Sequence, residues 1–530
     1  MARKVIDYSD FTGGEYGILE PWRAPPGSWT GKNIVQYDNG SLGPRNGLIE
    51  VGLSTAVTGS VLSAGPYGRR TNSDVWVILD NAGVRTAKTI TAAGVVSSVT
   101  AVSAIPVVYE PVSSLVEEDE EYLCFVDSGI YHLTGGNFTA VPSTPSGRCF
   151  IKHGDRFYVG GGIGTGYQAT TPAGTDSPAT RLWYSAVDDI TSWPSLNYID
   201  VTGAIVGLFS QRSHLVIVTT EGWYILTGVP GITDTLRRQN KSEFPTWPTQ
   251  ATVVEPSCNL AFVHGSLQQR DGEDEGEIAV HSLGVFTAAT IEYASHLPFG
   301  SGQNYTTYPP TYQAVTLRGP EDLLVQGGVD TAPNRAMLYR NKGWQKIEWA
   351  VASTTLLGWC MSMRRTDRHQ FLSHNGANVR MFEWRAYNNR PAFASDTTKQ
   401  PGDDSTTPFV AEFTLPEHHE EAGTDIGLVD IVVDFTSWDT GAATTNHFEI
   451  VPYVLRTFGD TTQAGATLTW DEAGAGSAAT LAGTRRRVRF PAVARNLDGT
   501  GFQLKFSNVR GVAIHRVQAY IEVDGPRIEH

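Results

Sequence analysis

Cysteine is scarce: four residues in 530, at positions 124, 149, 258 and 360. They lie too far apart for a zinc-binding spacing, and they form no small disulfide framework. No run of 18 apolar residues occurs, so no segment is long enough to cross a membrane as a helix. The opening Met1–Tyr8 stretch lacks the apolar core of a secretory signal, and synthesis in a cytoplasm is the expectation. Positive charge is in deficit, with Lys+Arg 40 against Asp+Glu 55 and a net charge of −15. Such a chain is a poor nonspecific binder of nucleic acid, because phosphates demand local positive charge. Also missing is any twelve-residue stretch with a capped 3.6-residue apolar stripe, which leaves no candidate helix. What is present excludes disorder: 40% of residues are hydrophobic and 10% aromatic.

Short runs rich in Val, Ile, Thr, Tyr and Trp recur between clusters of Gly, Asp, Asn and Pro. Asp74–Asp80, Glu121–Val126, Arg156–Val159, Leu215–Thr219, Glu277–His281, Leu323–Gln326 and Gln370–Ser373 are examples, each of strand rather than helix length. Several lead through a small polar residue and a glycine into a second strand. Asn81-Ala82-Gly83, Asp127-Ser128-Gly129 and Thr220-Glu221-Gly222 share this form, with glycine supplying the positive φ of a tight hairpin. The hairpins begin near 74, 121, 156, 215, 277, 323 and 370. A repeat on that scale points to four-stranded propeller blades, with Tyr167–Thr180 and Arg237–Thr252 as insertions. An unrelated set of hairpins in a sandwich is the alternative.

The class expected is all-β, a β-propeller of about six to seven irregular blades with a C-terminal antiparallel β-sandwich. Residues 1–50 are rich in proline and aromatics, including Trp22, Trp29 and Tyr37, and are expected to pack as an arm along a larger body. Residues 51–391 are assigned to the propeller. The polar Ala392–Pro408 stretch reads as a linker, and residues 409–530 as the sandwich, where Arg487-Val488-Arg489-Phe490 alternates in polarity.

Motifs that carry chemistry are weak. Gly160–Gly166 follows a strand, but no helix or Lys-Ser/Thr pair follows to hold a phosphate. Asp271–Glu277 is carboxylate-rich without calcium-loop spacing and reads as a solvated hairpin tip; Glu117–Glu121 reads as a wet surface. His418 and His419 are adjacent in an extended segment, so their side chains diverge rather than share a metal ion. Ser185–Trp193 has the Ser, an Asp and the Trp of a sialidase box, but at the wrong spacing. No nucleophile elbow or carboxylate pair stands out, and no catalytic residue, metal or cofactor is assigned. Arg485, Arg487 and Arg489 share one face of a strand, with Val488 and Phe490 on the other. That face suits a protein contact or solvent better than nucleic acid.

Four segments in order carry a resemblance. Asn33–Leu48 (NIVQYDNGSLGPRNGL), Arg181–Tyr198 (RLWYSAVDDITSWPSLNY), Gly203–Gly228 (GAIVGLFSQRSHLVIVTTEGWYILTG) and Gly501–Val523 (GFQLKFSNVRGVAIHRVQAYIEV) resemble segments of the tail hub or nozzle proteins of tailed bacteriophages. The resemblance implies a propeller with a second β region built from both ends of the chain. It also implies a structural role in the virion tail without catalysis. The subunit would form a homo-oligomeric ring, a hexamer, below the portal and adaptor, and would meet tail fibres or tail-tip proteins. DNA would pass through its channel at ejection without specific binding. The protein would be made in the host cytoplasm. Trp22, Trp29, Tyr37, Arg485, Arg487 and Arg489 are the candidate subunit contacts. Two alternatives stand beside this reading. One is a receptor- or carbohydrate-binding tail protein, since 13 Trp and 20 Tyr could stack on sugars. The other is a propeller-fold glycan hydrolase.

Overall fold

Every helix-free stretch of the sequence analysis has a counterpart in the computed structural model, whose described regular elements are all strands. The structure describes residues 2–524 apart from gaps, the longest being 16–27, 164–176, 239–252, 297–312, 385–402, 438–446 and 472–483. Between 253 and 378 it describes the strand backbones but few side chains.

Among the described residues, seven small sheets built mainly from antiparallel meanders follow one another along the chain. Sheet I runs from Ser60–Tyr67 to Val96–Ser98, and sheet II from Ser113–Glu117 to Asn137–Ala140, with Thr100–Ala101 added at its outer edge. Sheet III runs from Cys149–His153 to Tyr198–Asp200, and sheet IV from Ile205–Gln211 to Thr235–Arg238. Sheet V spans Val253–Val254 to Thr290–His296, and sheet VI Gln313–Thr316 to Gly343–Glu348. Sheet VII takes three strands from Thr355–Ser362 to Val379–Trp384 and a fourth, Leu48–Val51, from far upstream. The second strands of the sheets start at Asp74, Glu120, Arg156, His214, Glu273, Leu323 and His369, in step with the hairpin rhythm of the sequence. At the first hairpin Ala82 and Gly83 both have positive φ, 51° and 85°, the pairing that matches strand twist in a two-residue turn.

Strand alternation explains how the sheets stack. In sheet I, Val75, Val77 and Leu79 pack on Leu372, Val379 and Met381 of sheet VII. The intervening Trp76 and Ile78 face the other way, onto Leu123, Phe125 and Leu133 of sheet II. Cys124 and Ile130 of sheet II meet Phe157, Val159 and Trp183 of sheet III. Tyr158 and Leu182 of sheet III then meet Leu208, Leu215 and Ile217 of sheet IV. Both faces of these strands are therefore apolar, which is why DVWVILD reads as a nearly continuous hydrophobic run. The Thr355–Ser362 and Ser60–Tyr67 strands also touch, bringing sheet VII back to sheet I.

Two larger sheets form a second body. One has the order Ile34–Gln36, Leu42–Pro44, Val512–Asp524, Asp425–Ser437, Thr484–Leu497, with Ala2–Tyr8 also paired to Val512–Asp524. The other centres on Gly501–Arg510, flanked by Glu412–Thr414 and His447–Leu455, with Ser28–Lys32 beyond Glu412–Thr414. One core joins them: Trp29, Ile34 and Leu42 pack with Ile431, Val433, Phe435, Phe448, Phe490 and Phe506. Each such side chain, fully buried, contributes roughly 1.5–3 kcal/mol.

The proline- and aromatic-rich opening segment is thus woven into both bodies. Ala2 pairs with Val523 and Tyr8 with Val517. Thr30 pairs with Thr414. Leu48 pairs with Trp384, and Arg380 forms an ion pair with Glu50 across the same junction.

Candidate functional site

The arginine strand, Thr484–Leu497, pairs only with Asp425–Ser437 among the described residues and so forms an edge of its sheet. Its alternation places Arg485, Arg487 and Arg489 outward and exposed, while Phe490 joins the core. Arg487 lies directly opposite Asp434 and holds it with two bonds, Nε to Oδ1 at 2.5 Å and Nη2 to Oδ2 at 2.8 Å. Arg489 reaches Asp430 at 2.5 Å. On the other side of Asp434 lies Arg516, which donates to Asp7 of the first strand, Nε to Oδ1 at 2.8 Å. A row of alternating charge, Arg487–Asp434–Arg516–Asp7, therefore crosses four strands. The guanidinium of Arg487 holds the Asp434 carboxyl below the usual carboxylate range. Despite these bonds the Arg487 and Arg489 side chains remain 62% and 65% exposed. The Arg485 backbone pairs opposite Thr436, and its side chain stands exposed. Its charge, after burial, helps hold His515 below its ordinary value. Charged side chains on an edge also discourage unwanted strand pairing.

The aromatic candidates fall elsewhere. Trp29 is fully buried in the core between the two large sheets, and Tyr37 is buried with its hydroxyl donating to the Pro44 carbonyl at 2.7 Å. Both rings are used within this chain and offer no surface to a neighbour. Trp22 lies outside the described residues. Aromatic and proline content alone does not distinguish a ring packed inside a chain from one packed between chains.

The other motifs resolve as follows. His418 and His419 each bond a different carboxylate, Glu420 at 3.0 Å and Glu417 at 2.8 Å, so the pair diverges. Glu420 is also held by Lys4 at 2.5 Å. Burial pushes Glu420 up, but Lys4 and His418 outweigh it and the net direction is down. Among the described residues no three His, Cys, Asp or Glu side chains gather as for a metal ion. In the Glu117–Glu121 run, Glu117 binds Lys152 at 2.5 Å and Glu120 binds His132 at 2.8 Å. Ser185 is buried, and its Oγ donates to the Ala186 carbonyl at 2.6 Å and accepts from the Phe157 amide. Those bonds tie Ser185 into the turn after its strand. Arg270 pairs opposite Glu273 at the end of two antiparallel strands, and Asp271 and Gly272 lie outside the described residues. Gly160 ends a strand and Gly161–Ile163 follow it without regular structure, while Gly164–Gly166 lie outside the described residues.

The sequence did not single out the acidic partners Asp430 and Asp434, which lie 59 and 53 residues from their arginines. Nor did it single out Leu196 and Ile232, which stand 82% and 75% exposed in two loops of sheets III and IV. An aliphatic residue in a polar loop carries no signal of its exposure until the loop is placed.

No protein-family model matches the chain. No curated protein matches it in sequence. Solved structures resemble it only loosely. The N-terminal domain of Nup159 aligns with a TM-score of 0.36 and 11% identity, over 64% of this chain and 96% of that one. A chain from the structure of the mitotic checkpoint complex aligns at 0.39 and 11%, over 64% and 97%. Oligogalacturonate lyase from Vibrio parahaemolyticus aligns at 0.38 and 10%, over 67% and 96%. Likeness at this level carries no argument about what the present chain does.

Proposed function

We propose that the chain is a structural ring subunit of a bacteriophage tail, a hub or nozzle protein, and that its small sheets are the seven blades of one propeller beside a β-sandwich. The observation that carries this reading is the use of the opening segment. Strands from residues 2–44 complete the sandwich with strands from 412–524, and Leu48–Val51 completes sheet VII. The phage-tail resemblance implies that same plan, a propeller whose second β region draws on both ends. In this reading the subunits form a six-fold ring below the portal and adaptor, next to tail fibres or tail-tip proteins. They extend the channel through which DNA leaves. A ring of six carries about six times the −15 of one chain, a balance that would repel a passing duplex rather than bind it by counterion release. The protein acts without catalysis, made in the host cytoplasm and finishing in the virion tail.

Imaging the assembled particle with a label on this chain tests the proposal. A six-fold feature on the tail axis is expected. A label on peripheral fibres would favour receptor binding, and turnover of a host glycan that disappears with one carboxylate would favour a hydrolase.

A further inference from the structure

Asp425–Ser437 and Val512–Asp524 lose register at one point. Asp434 stands opposite Arg516 and Phe435 opposite Ile514, so His515 is an extra residue, a β-bulge in the second strand. Ile514 and Val517 belong to the core, and neither His515 nor Arg516 does. A bulge re-aims a side chain, and this one brings the imidazole to the neighbouring strand: His515 Nε2 lies 2.6 Å from the Thr436 hydroxyl. Thr436 in turn stands opposite Arg485 of the edge strand. Exposed arginine, threonine and half-buried histidine thus form one row across three strands.

Charged side chains stand around that row. Arg516 comes from the histidine's own strand, Asp434 from Asp425–Ser437, Arg485 and Arg487 from the edge strand, and Asp7 from Ala2–Tyr8. Leu42–Pro44, on the other side, brings no charge. Both carboxylates are already engaged, Asp434 with Arg487 and Asp7 with Arg516. A neutral imidazole adds no charge here and takes the Thr436 hydroxyl proton on Nε2. A second ring proton makes both nitrogens donors, so Thr436 must turn its hydroxyl away, and it sets a cation beside Arg485 and Arg516. Burial and the Arg485 charge oppose that proton, and Asp434 offsets them only in part. The edge strand is where the change is felt, because among the described residues it is paired on one side only and Arg485 lies next to its first residue, Thr484.

We propose that His515 is a pH-sensitive latch for the start of the arginine edge strand. With the ring neutral, residues 484–487 stay seated against Asp425–Ser437. With the ring protonated, repulsion lifts Arg485 and the strand frays from that end, while Phe490, in the core, keeps the rest in place. Because the folded chain holds His515 below its ordinary value, the latch is complete above the unfolded imidazole value of about 6.5 and is lost as pH falls through the folded one. The Asp434 carboxyl, held below the usual carboxylate range of about 4, titrates in a separate window. The latch is independent of the function proposed above.

Hydrogen exchange of the full chain at about pH 7.5 and about pH 5, corrected for the intrinsic effect of pH on amide exchange, tests it. In wild type the protection of residues 484–487 falls about two- to fivefold on acidification, the scale of one like-charge contact at a partly exposed site, while His447–Leu455 of the other large sheet keeps its protection. His515→Gln retains a group that bonds Thr436 but takes up no proton, and its edge strand is equally protected at both pH values. Arg485→Gln removes the charge that is repelled and shrinks the drop. Equal protection at both pH values in wild type overturns the latch, and so does an undiminished drop in either variant. The Arg485 side chain is exposed, so that variant folds even where the histidine variant does not. An imidazole that NMR shows titrating outside the range of the drop overturns it as well.

Discussion

Replacing Trp29 tests the claim that the opening segment is part of the second body's core. The ring is fully buried among Phe and Ile side chains of both large sheets. Truncation to alanine removes a large apolar side chain and leaves a cavity, at a cost of about 3–5 kcal/mol. The indole Nε1 has no hydrogen-bond partner among the described residues, and a buried donor left so costs about 1–3 kcal/mol. Trp29→Phe removes that donor along with part of the ring, so the two effects offset and the net change stays within about 1–2 kcal/mol. Urea denaturation reads the difference. With a slope of about 2 kcal/mol per molar, Trp29→Ala lowers the midpoint of the second body's transition by about 1.5–2.5 M. Hydrogen exchange localises it: amides of Asp425–Ser437 exchange faster in the alanine variant, while those of His214–Thr219 in sheet IV keep their rate. The reasoning fails if Trp29→Ala moves the midpoint by less than about 0.5 M, or if phenylalanine costs as much as alanine.

Three further outcomes follow from the same geometry. Asp434, Glu420 and Glu449 are all held below the ordinary carboxylate range by their partners. The stability they contribute is complete above the unfolded carboxylate range of about 4 and is lost as pH falls through their folded values, so a melting series from pH 6 to pH 2 should show the second body failing in acid. Arg487→Gln should make that acid loss shallower. Gly83→Ala meets no atom within 4 Å and should cost about 1 kcal/mol for its positive φ, whereas Gly94→Ala would place its Cβ 2.2 Å from the Gly52 carbonyl oxygen and should cost clearly more in thermal melts. Cys124 is buried and its thiol is pushed up to about 12, so peptide mapping after mild alkylation of native protein at neutral pH should find it unmodified.

Local pattern made much of the fold readable. Period-two alternation and glycine turns located the second strand of each small sheet, because hairpins are set by residues only a few positions apart. Arg485, Arg487 and Arg489 could be placed on one face for the same reason. Pairing between distant segments left no such trace. Nothing in Leu48–Val51 announces a partner at Met381, 330 residues on, and the Arg380–Glu50 bond spans that distance. Trp29 and Tyr37 show the converse limit: burial is a property of what packs around a ring, and their own neighbours in sequence do not supply it.

The first strand also sets an order of events in synthesis. Ala2–Tyr8 pairs with Val517–Val523, so its partner does not exist until about five hundred further residues have been made. At a translation rate of about 5–20 residues per second that is a wait of roughly half a minute to two minutes. Sheets I to IV, built from neighbouring hairpins, can form as they emerge, but the seam at sheet VII and the second body must hold Trp29, Ile34 and Leu42 in reserve. During that interval the nascent chain presents unpaired edges and apolar side chains together, the condition under which chains aggregate. Docking of Val512–Asp524 closes that interval for the second body, whereas Val379–Trp384, the partner of Leu48–Val51, has emerged before it.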